Sequence, residues 1–257
     1  IYELLVGKAG QTVELTVNDT PEKEGARKVL VEPIADESEL YYHKWVSENI
    51  RKVNEATDGE VGYIHIPDMV SNGLNQFVRY FYPQLDKKAL IIDDRGNGGG
   101  NVSPQILERL AREAYRLNMR RNSPEVTPVP GETLIGPKVA LIDKYSASDG
   151  DLFAHGFKKL GIGTTIGTRT WGGVVGITGS LPFVDGTQLR IPQFTSLTRD
   201  GEWMIEGEGV EPDIKVENDP WKEYNGKDQQ LNKAIEVILE KMEDRKPLPD
   251  IPEAPVK

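Results

Sequence analysis

Apolar and polar positions fall into blocks of two periods along this chain. Residues 13–17 (VELTV) and 29–34 alternate with period two, and a polar turn rich in Asn, Asp, Pro and Gly divides them. This predicts two strands, which need a further surface to pack on. From about 37 to 56, Leu40, Trp45, Val46, Ile50 and Val53 roughly keep helical spacing until Asp58-Gly59 breaks it. Residues 62–67 (GYIHIP) read as a short buried strand and the region around 74–81 as a helix. Two strand-turn-helix units follow. In the first, ALIID runs into RGNGGG, and Ser103-Pro104 supplies a cap and first-turn proline for a helix carrying Ile106, Leu107, Leu110, Ala114 and Leu117. In the second, residues 139–142 run into SASDGD and a helix bearing Phe153, Phe157 and Leu160. Beyond Gly161 the pattern is β-rich: a strand at 165–170, then arms 181–184 and 188–191 around the hairpin signal Asp185-Gly186. Leu231, Ala234, Ile235, Ile238, Leu239 and Met242 form the stripe of a closing amphipathic helix, and RKPLPDIPEAPVK is expected to be disordered or an extended arm.

Alternating β and α elements imply a sheet of parallel strands, whose C-terminal loops gather along one edge. The triple glycine at 98–100 and the serine turn at 146–148 are therefore expected near each other. Composition narrows the partners. A net charge of −10 repels phosphate backbones, so neither nucleic acid nor an anionic membrane is an expected partner. There is no cysteine, which excludes disulfides, thiolate metal sites and a cysteine nucleophile. No apolar run approaches the roughly 20 residues of a membrane span. The first residues lack both an initiating Met and the features of a signal peptide, so the chain is expected to start inside a longer protein.

The stretch KYSASDGD has two readings. Ser148-x-x-Asp151 and Ser146-x-x-Asp149 both match a helix-capping pattern. Alternatively, a serine at a strand-to-helix turn projects its hydroxyl from the sheet edge, as nucleophile elbows do, beside backbone N–H groups that favour negative charge. GNGGG is equally two-sided. It lacks the Lys and Ser/Thr of a P-loop, yet its glycines allow a peptide backbone to lie close or an N–H to face a carbonyl oxygen.

DDRGNGGG, SASDGD, IGTRTWGG and EGEGVEPD, in this order, resemble the catalytic half of the tail-specific (C-terminal processing) serine protease superfamily. YIHIPDM and WGGVVGI sharpen the likeness to its tricorn protease branch, and GKAGQTVELTV is similar to the last strands of a PDZ domain. The resemblance implies an α/β fold with a crotonase-like core of ββα units. It divides the chain into the end of a PDZ domain (1–35), a linker helix (36–58), a catalytic domain (59–217) and a closing helix with its tail (218–257). Carried over position by position, it makes Ser148 the nucleophile and the N–H groups of Gly100 and Asp149 the oxyanion hole. Gly98, Gly99 and Gly100 become the strip for substrate backbone, and Glu206 the orienting carboxylate, preferred over Glu202, Glu208 and Glu211. The implied partner is a peptide substrate, with no metal or organic cofactor. The parent protein would be cytoplasmic (a periplasmic one stays open) and would self-associate.

Two departures qualify the likeness. Gly173 stands where the superfamily's Ser–Lys enzymes carry their lysine, which favours the tricorn arrangement with a histidine base. That histidine precedes the PDZ domain in the tricorn branch, and His43, His65 and His155 do not match its place, so structural roles are expected for all three. The chain alone should then be nearly inactive. Where tricorn-type enzymes can place an acid to receive a basic side chain, this chain offers Asn118, leaving acidic or apolar side chains open. Two rival readings remain: a non-catalytic module holding a peptide or apolar ligand along the glycines, and a hydrolase using Asp149 and Glu206 as a carboxylate pair.

Overall fold

The computed structural model describes residues 2–121, 126–178 and 181–244; the proline-rich stretch 245–257 lies outside them. The chain divides into two compact units, Ile1–Glu48 and Asn49–Lys257. In the first, a short helix α1 (Tyr2–Leu5) precedes an antiparallel hairpin of β1 (Val13–Val17) and β2 (Arg27–Val31). Val13 lies opposite Val31 and Val17 opposite Arg27. Val13, Leu15 and Val17 are half-buried while Glu14 and Thr16 are exposed, as their period-two alternation requires. Helix α2 (Ser38–Ala56) spans the boundary between the units.

The second unit is built on a five-stranded parallel sheet. Its strands are β3 (Val61–His65), β4 (Ala89–Asp93), β7 (Lys138–Ile142), β8 (Thr164–Gly167) and β11 (Ile214–Lys215), in the order β11-β8-β7-β4-β3. Every residue of β3, β4 and β7 is buried, as expected of a parallel sheet covered on both faces. Leu90, Ile92 and Ala140 point to one layer, where Phe77, Phe81, Ile106, Phe153 and Phe157 from α3 (Ser71–Phe81), α4 (Ser103–Leu110) and α5 (Asp149–Lys159) pack. Ala89, Ile91, Val139 and Leu141 point the other way, onto Val53 of α2 and Leu231, Ala234 and Ile238 of α7 (Gln229–Glu243). The remaining elements are β5 (Arg116–Met119), β6 (Val126–Val129), β9 (Gly176–Thr178), β10 (Ile191–Phe194) and α6 (Pro220–Tyr224).

Three expectations change. The helix after the glycine turn stops at Leu110, where the Ala111 N–H turns back onto Leu107 O and Arg109 O. Leu117 keeps helical spacing but sits in β5, paired antiparallel with β6. Ser103 is the first residue of α4 and Val102 its N-cap, so the serine does not cap the helix through its own turn. Finally, Asp185-Gly186 does form a turn, in which Phe183 N–H donates to Thr187 O and Gly186 N–H to Phe183 O. The arms make only the bridge Pro182–Gln188, and the ladder forms farther out, between β9 and β10.

Candidate active site

Four parallel strands deliver their following loops to one edge of the sheet, and hydrogen bonds stitch these loops together. After β3, the Met69 N–H donates to Gly99 O (2.8 Å), and Met69 O accepts Asn101 N–H (2.7 Å) and Val102 N–H (3.1 Å). After β4, Asn97 O accepts Ala147 N–H (2.8 Å) from the serine turn. After β7, Asp143 Oδ1 accepts Gly96, Tyr145 and Ser146 N–H at 2.9–3.0 Å, tying glycine loop to serine turn. After β8, Trp171 N–H donates to Ser146 O (3.0 Å), and Thr170 Oγ1 accepts Val210 N–H (2.8 Å). All four motifs noted in the sequence therefore meet at one place.

The two serines of the turn have separate fates. Ser146 is fully buried; its hydroxyl donates to Asp94 O (2.8 Å) and accepts Asp143 N–H (3.1 Å). Ser148 is half-buried and occupies the N-cap position of α5, yet its side chain makes no capping bond. Among the described residues its hydroxyl has no hydrogen-bond partner at all. Its backbone lies at φ 55, ψ −115, outside the regions favoured by L-residues. The acids of the two capping patterns are also diverted. Asp149 accepts from Ser103 N–H (2.8 Å) and Ser103 Oγ–H (2.5 Å), and Asp151 Oδ1 accepts Gly172 N–H (2.8 Å). The capping explanation of SASDGD fails on this geometry, and so does a free Asp149 acid for a carboxylate-pair hydrolase.

Gly99 and Gly100 bring the glycine loop against the serine. Gly99 has φ +88, and a methyl on it would come within 2.6 Å of Ser148 Cβ and 2.8 Å of Ala147 O. Gly100 has φ +152 and abuts the Met69 carbonyl at a distance only glycine permits. Its N–H, like that of Asp149 at the first position of α5, has no acceptor among the described residues. Gly98 and Gly100 are exposed, whereas Gly99 is buried.

Glu206 lies on the far side of the strip after β8. Its Oε2 accepts the N–H groups of Val174 (2.6 Å) and Val175 (2.8 Å), while the residue stays exposed. It thus holds the WGGVV loop in place. Beside it is an open cavity of about 550 Å³ bordered by Phe194, Trp203, Met204 and Glu208. Any side chain at Gly173 would meet the Trp171 ring, at 2.3 Å for the first carbon. None of the histidines bonds to Ser148. His43 pairs with Glu39 at 3.7 Å, and His65 sits buried with Nε2 3.0 Å from Arg95 O. Burial lowers the pKa of both His65 and His155, with Lys159 adding to the effect at His155.

Beneath the loops lies an acidic floor that the sequence reading did not single out. Burial pushes the Asp93 carboxyl up, but Arg95 outweighs it and holds the group below the usual carboxylate range. Arg95 Nη2 donates to Asp93 Oδ2 (2.6 Å), and its Nη1 pairs with Asp228 (2.9 Å), the N-cap of α7. Asp94 differs. Burial, then Asp93 and Asp143, raise its pKa well above the carboxylate range, and its Oδ2 has no partner. Its Oδ1 accepts Asn97 Nδ2–H, and Asn97 Oδ1 accepts Gly99 N–H. Asn97, Asp94 and Asp143 thereby hold the glycine loop. The spacing Asp143-x-x-Ser146, a local Asx turn, was the one sequence signal for any of them.

A bare hydroxyl at the C-terminal edge of a parallel sheet, flanked by two unpaired amides, is the arrangement used for attack on a carbonyl. Residues 60–216 match the description Peptidase family S41, and the chain belongs to that family. It is 41% identical to the tricorn protease of Thermoplasma acidophilum over 94% of this chain and 22% of that protein. Tricorn protease homolog 1 of Streptomyces coelicolor is 39% identical over 94% of this chain and 22% of its own length. The crystal structure of the tricorn protease superposes with a TM-score of 0.86 at 39% identity, covering 95% of this chain and 24% of that one. The chain thus spans about a quarter of the length of these relatives and resembles the tricorn branch. Among the described residues no helix is long and apolar enough to cross a membrane, and no acid–histidine cluster is arranged to hold a metal.

Proposed function

We propose that this chain carries the nucleophile, the oxyanion donors and the backbone-binding strip of a serine peptidase of tricorn type. The observation that carries the reading is the Ser148 hydroxyl: it stands at a strand-to-helix turn, in a backbone conformation that disfavours serine, and is spent on no capping bond. In the proposed reaction its oxygen attacks the scissile carbonyl while a base takes the proton. The carbonyl oxygen becomes an oxyanion facing Gly100 N–H and Asp149 N–H. Collapse forms the acyl-enzyme and expels the amine, which takes up that proton. Water then releases the acid by the same steps. The Gly98–Gly100 strip would hold substrate backbone. Glu206, which already fixes Val174 and Val175, would position the base or its partner through its other oxygen.

The general base lies outside these residues in this reading, as a histidine upstream of a PDZ domain whose end is the β1–β2 hairpin. Self-association of the longer protein belongs to the same proposal, as does a peptide substrate. The test is labelling by a fluorophosphonate probe. A chain extended through the upstream region should be labelled, Ser148→Ala should abolish labelling, and the 257-residue chain should react at least about 100-fold more slowly. An extended wild type that stays unlabelled would leave a non-catalytic peptide-binding module as the better account.

A further inference from the structure

The opposite edge of the sheet holds a second buried cation besides Arg95. Lys138 is the first residue of β7, so the length of that strand, about 16 Å, separates it from the serine turn. The residue is only 7% exposed. Arg95, at a similar burial, is neutralised by Asp93 and Asp228. Lys138 has no carboxylate within ion-pair distance among the described residues. Its ammonium instead donates to two carbonyl oxygens, Leu134 O (3.2 Å) and Gly136 O (3.3 Å), which leaves one proton without an acceptor.

Lys138 and the two residues whose carbonyls hold its ammonium, Leu134 and Gly136, line a cavity of about 510 Å³, well within the size range of small-molecule pockets. The ends of α4 and α5 and the start of β5 wall it with apolar groups, including Leu110, Leu117, Leu134 and Ile162. Arg112 and Glu113 lie at its polar side; Arg112 is engaged by Glu108, and Glu113 is exposed. No carboxylate pairs closely with the Lys138 ammonium among the described residues, and Glu113 offsets its burial only from longer range, so an arriving anion would compensate the charge. The exposed lining is mixed and mostly polar, and its apolar side chains leave room for a small branched apolar group beside the anion.

We propose that this cavity binds a carboxylate joined to a branched apolar side chain, with the carboxylate on the Lys138 ammonium. The ligand is a leucine-like acid, free or as the last residue of a peptide. Burial lowers the Lys138 pKa, and Glu113 only partly opposes this. A carboxylate beside the amine restores preference for the charged form, so binding and protonation are coupled. Affinity is full below the pKa of the unliganded amine and falls above it, by up to tenfold per pH unit.

Calorimetric titration of the 257-residue chain tests this with N-acetyl-leucine, N-acetyl-leucinamide and Gly-Gly-Leu. The acid should bind saturably below about 10 mM, at least tenfold more tightly than the amide, and lose affinity as pH rises from 7 to 10. Lys138→Met, which keeps the aliphatic stem, should remove both the binding and its pH dependence. Tighter binding of the tripeptide would mark a chain terminus as the ligand; tighter binding of N-acetyl-leucine would mark a free acyl amino acid. Equal binding of acid and amide, unaltered binding in Lys138→Met, or no saturable binding would each overturn the proposal. Should Lys138→Met fail to fold, the acid–amide ratio and the pH profile of the wild type decide it alone.

Discussion

Ser148 stores strain where the chain has the least need of it for folding. At φ 55, ψ −115 a side chain costs roughly 1–3 kcal/mol, and nothing in the turn's hydrogen bonds demands a serine there. Glycine has no Cβ and tolerates that backbone, while alanine shares serine's steric problem. Ser148→Gly should therefore raise unfolding stability by about 1 kcal/mol, and Ser148→Ala should leave it within about 0.5 kcal/mol. Urea titration at fixed pH checks both, and equal stability of the three proteins would remove strain from the description of the site. Asp94 presents the opposite problem, a carboxyl too deeply buried to ionise easily. Its folded pKa lies above the unfolded value of about 3.9, so the folded state binds the proton more tightly. The resulting stability is fully present below that unfolded pKa and is lost as pH rises through the folded one. Asp94→Asn abolishes the titration while an amide oxygen can still accept from Asn97. Its unfolding free energy should vary less than the wild type's between pH 4 and 8, and Asp94→Ala should be the less stable variant. A parallel pH dependence in wild type and Asp94→Asn would contradict this.

At the scale of elements, the links that build the site are long in sequence and short in space. Asp149, at the start of α5, receives two hydrogen bonds from Ser103, at the start of α4, forty-six positions earlier. It acts as the cap that Val102 cannot supply. Asp149→Ala should cost about 1–2 kcal/mol, the usual range for a lost helix cap, and should speed amide exchange in the first turn of α4 while leaving α7 unchanged. Stability loss without that local change would place the effect elsewhere. The same link explains what was legible in the sequence. Strand β1 and helices α2 and α7 follow from periodicity, because each buries a face defined by residues on the element itself, while β4 and β7 read as unbroken apolar runs bounded by turn residues. The loops of the site were visible as turn chemistry interrupting that period: triple glycine, SASDGD, TWGG and EGEG. Which serine stood free was not decidable from the local pattern, since Ser146 and Ser148 head the same capping motif. The acids that would satisfy it are consumed by Ser103 and Gly172, partners that no window along the chain contains. The end of α4 was hidden for a related reason. Leu117 keeps helical spacing, and only its pairing with β6 converts that stretch to strand.

Across the second unit, burial is distributed very unevenly, and this ties stability to the site. The strands β3, β4 and β7 have no exposed residue, and two layers of helices cover them. The loops that meet at the serine rise directly from these strands, so the candidate site rests on the part of the chain with the most to lose on opening. Residues 176–204 are arranged otherwise. β10 is exposed throughout, and Leu181, Phe183, Val184, Leu189, Phe194 and Trp203 lie open to solvent. This segment is attached through Glu206 to the Val174–Val175 amides, and its own ladder is the two-stranded β9–β10 ribbon. A ribbon with few buried contacts opens at low free energy, whereas strands central to a packed sheet exchange only on global unfolding. Hydrogen exchange followed by mass spectrometry should therefore resolve two classes at neutral pH. Peptides from 181–204 should exchange within seconds, and those from 89–93 and 138–142 should stay protected by at least about 10⁴-fold, tracking the global stability. Binding of an inhibitor to an active, extended chain should slow exchange in 171–206 first, because that segment is bonded to the serine turn through Trp171 N–H to Ser146 O and Gly172 N–H to Asp151. Uniform protection across both classes in the free chain would mean that 176–204 is held by contacts equal to those of the core, and that the strip beside Ser148 is as rigid as the sheet beneath it.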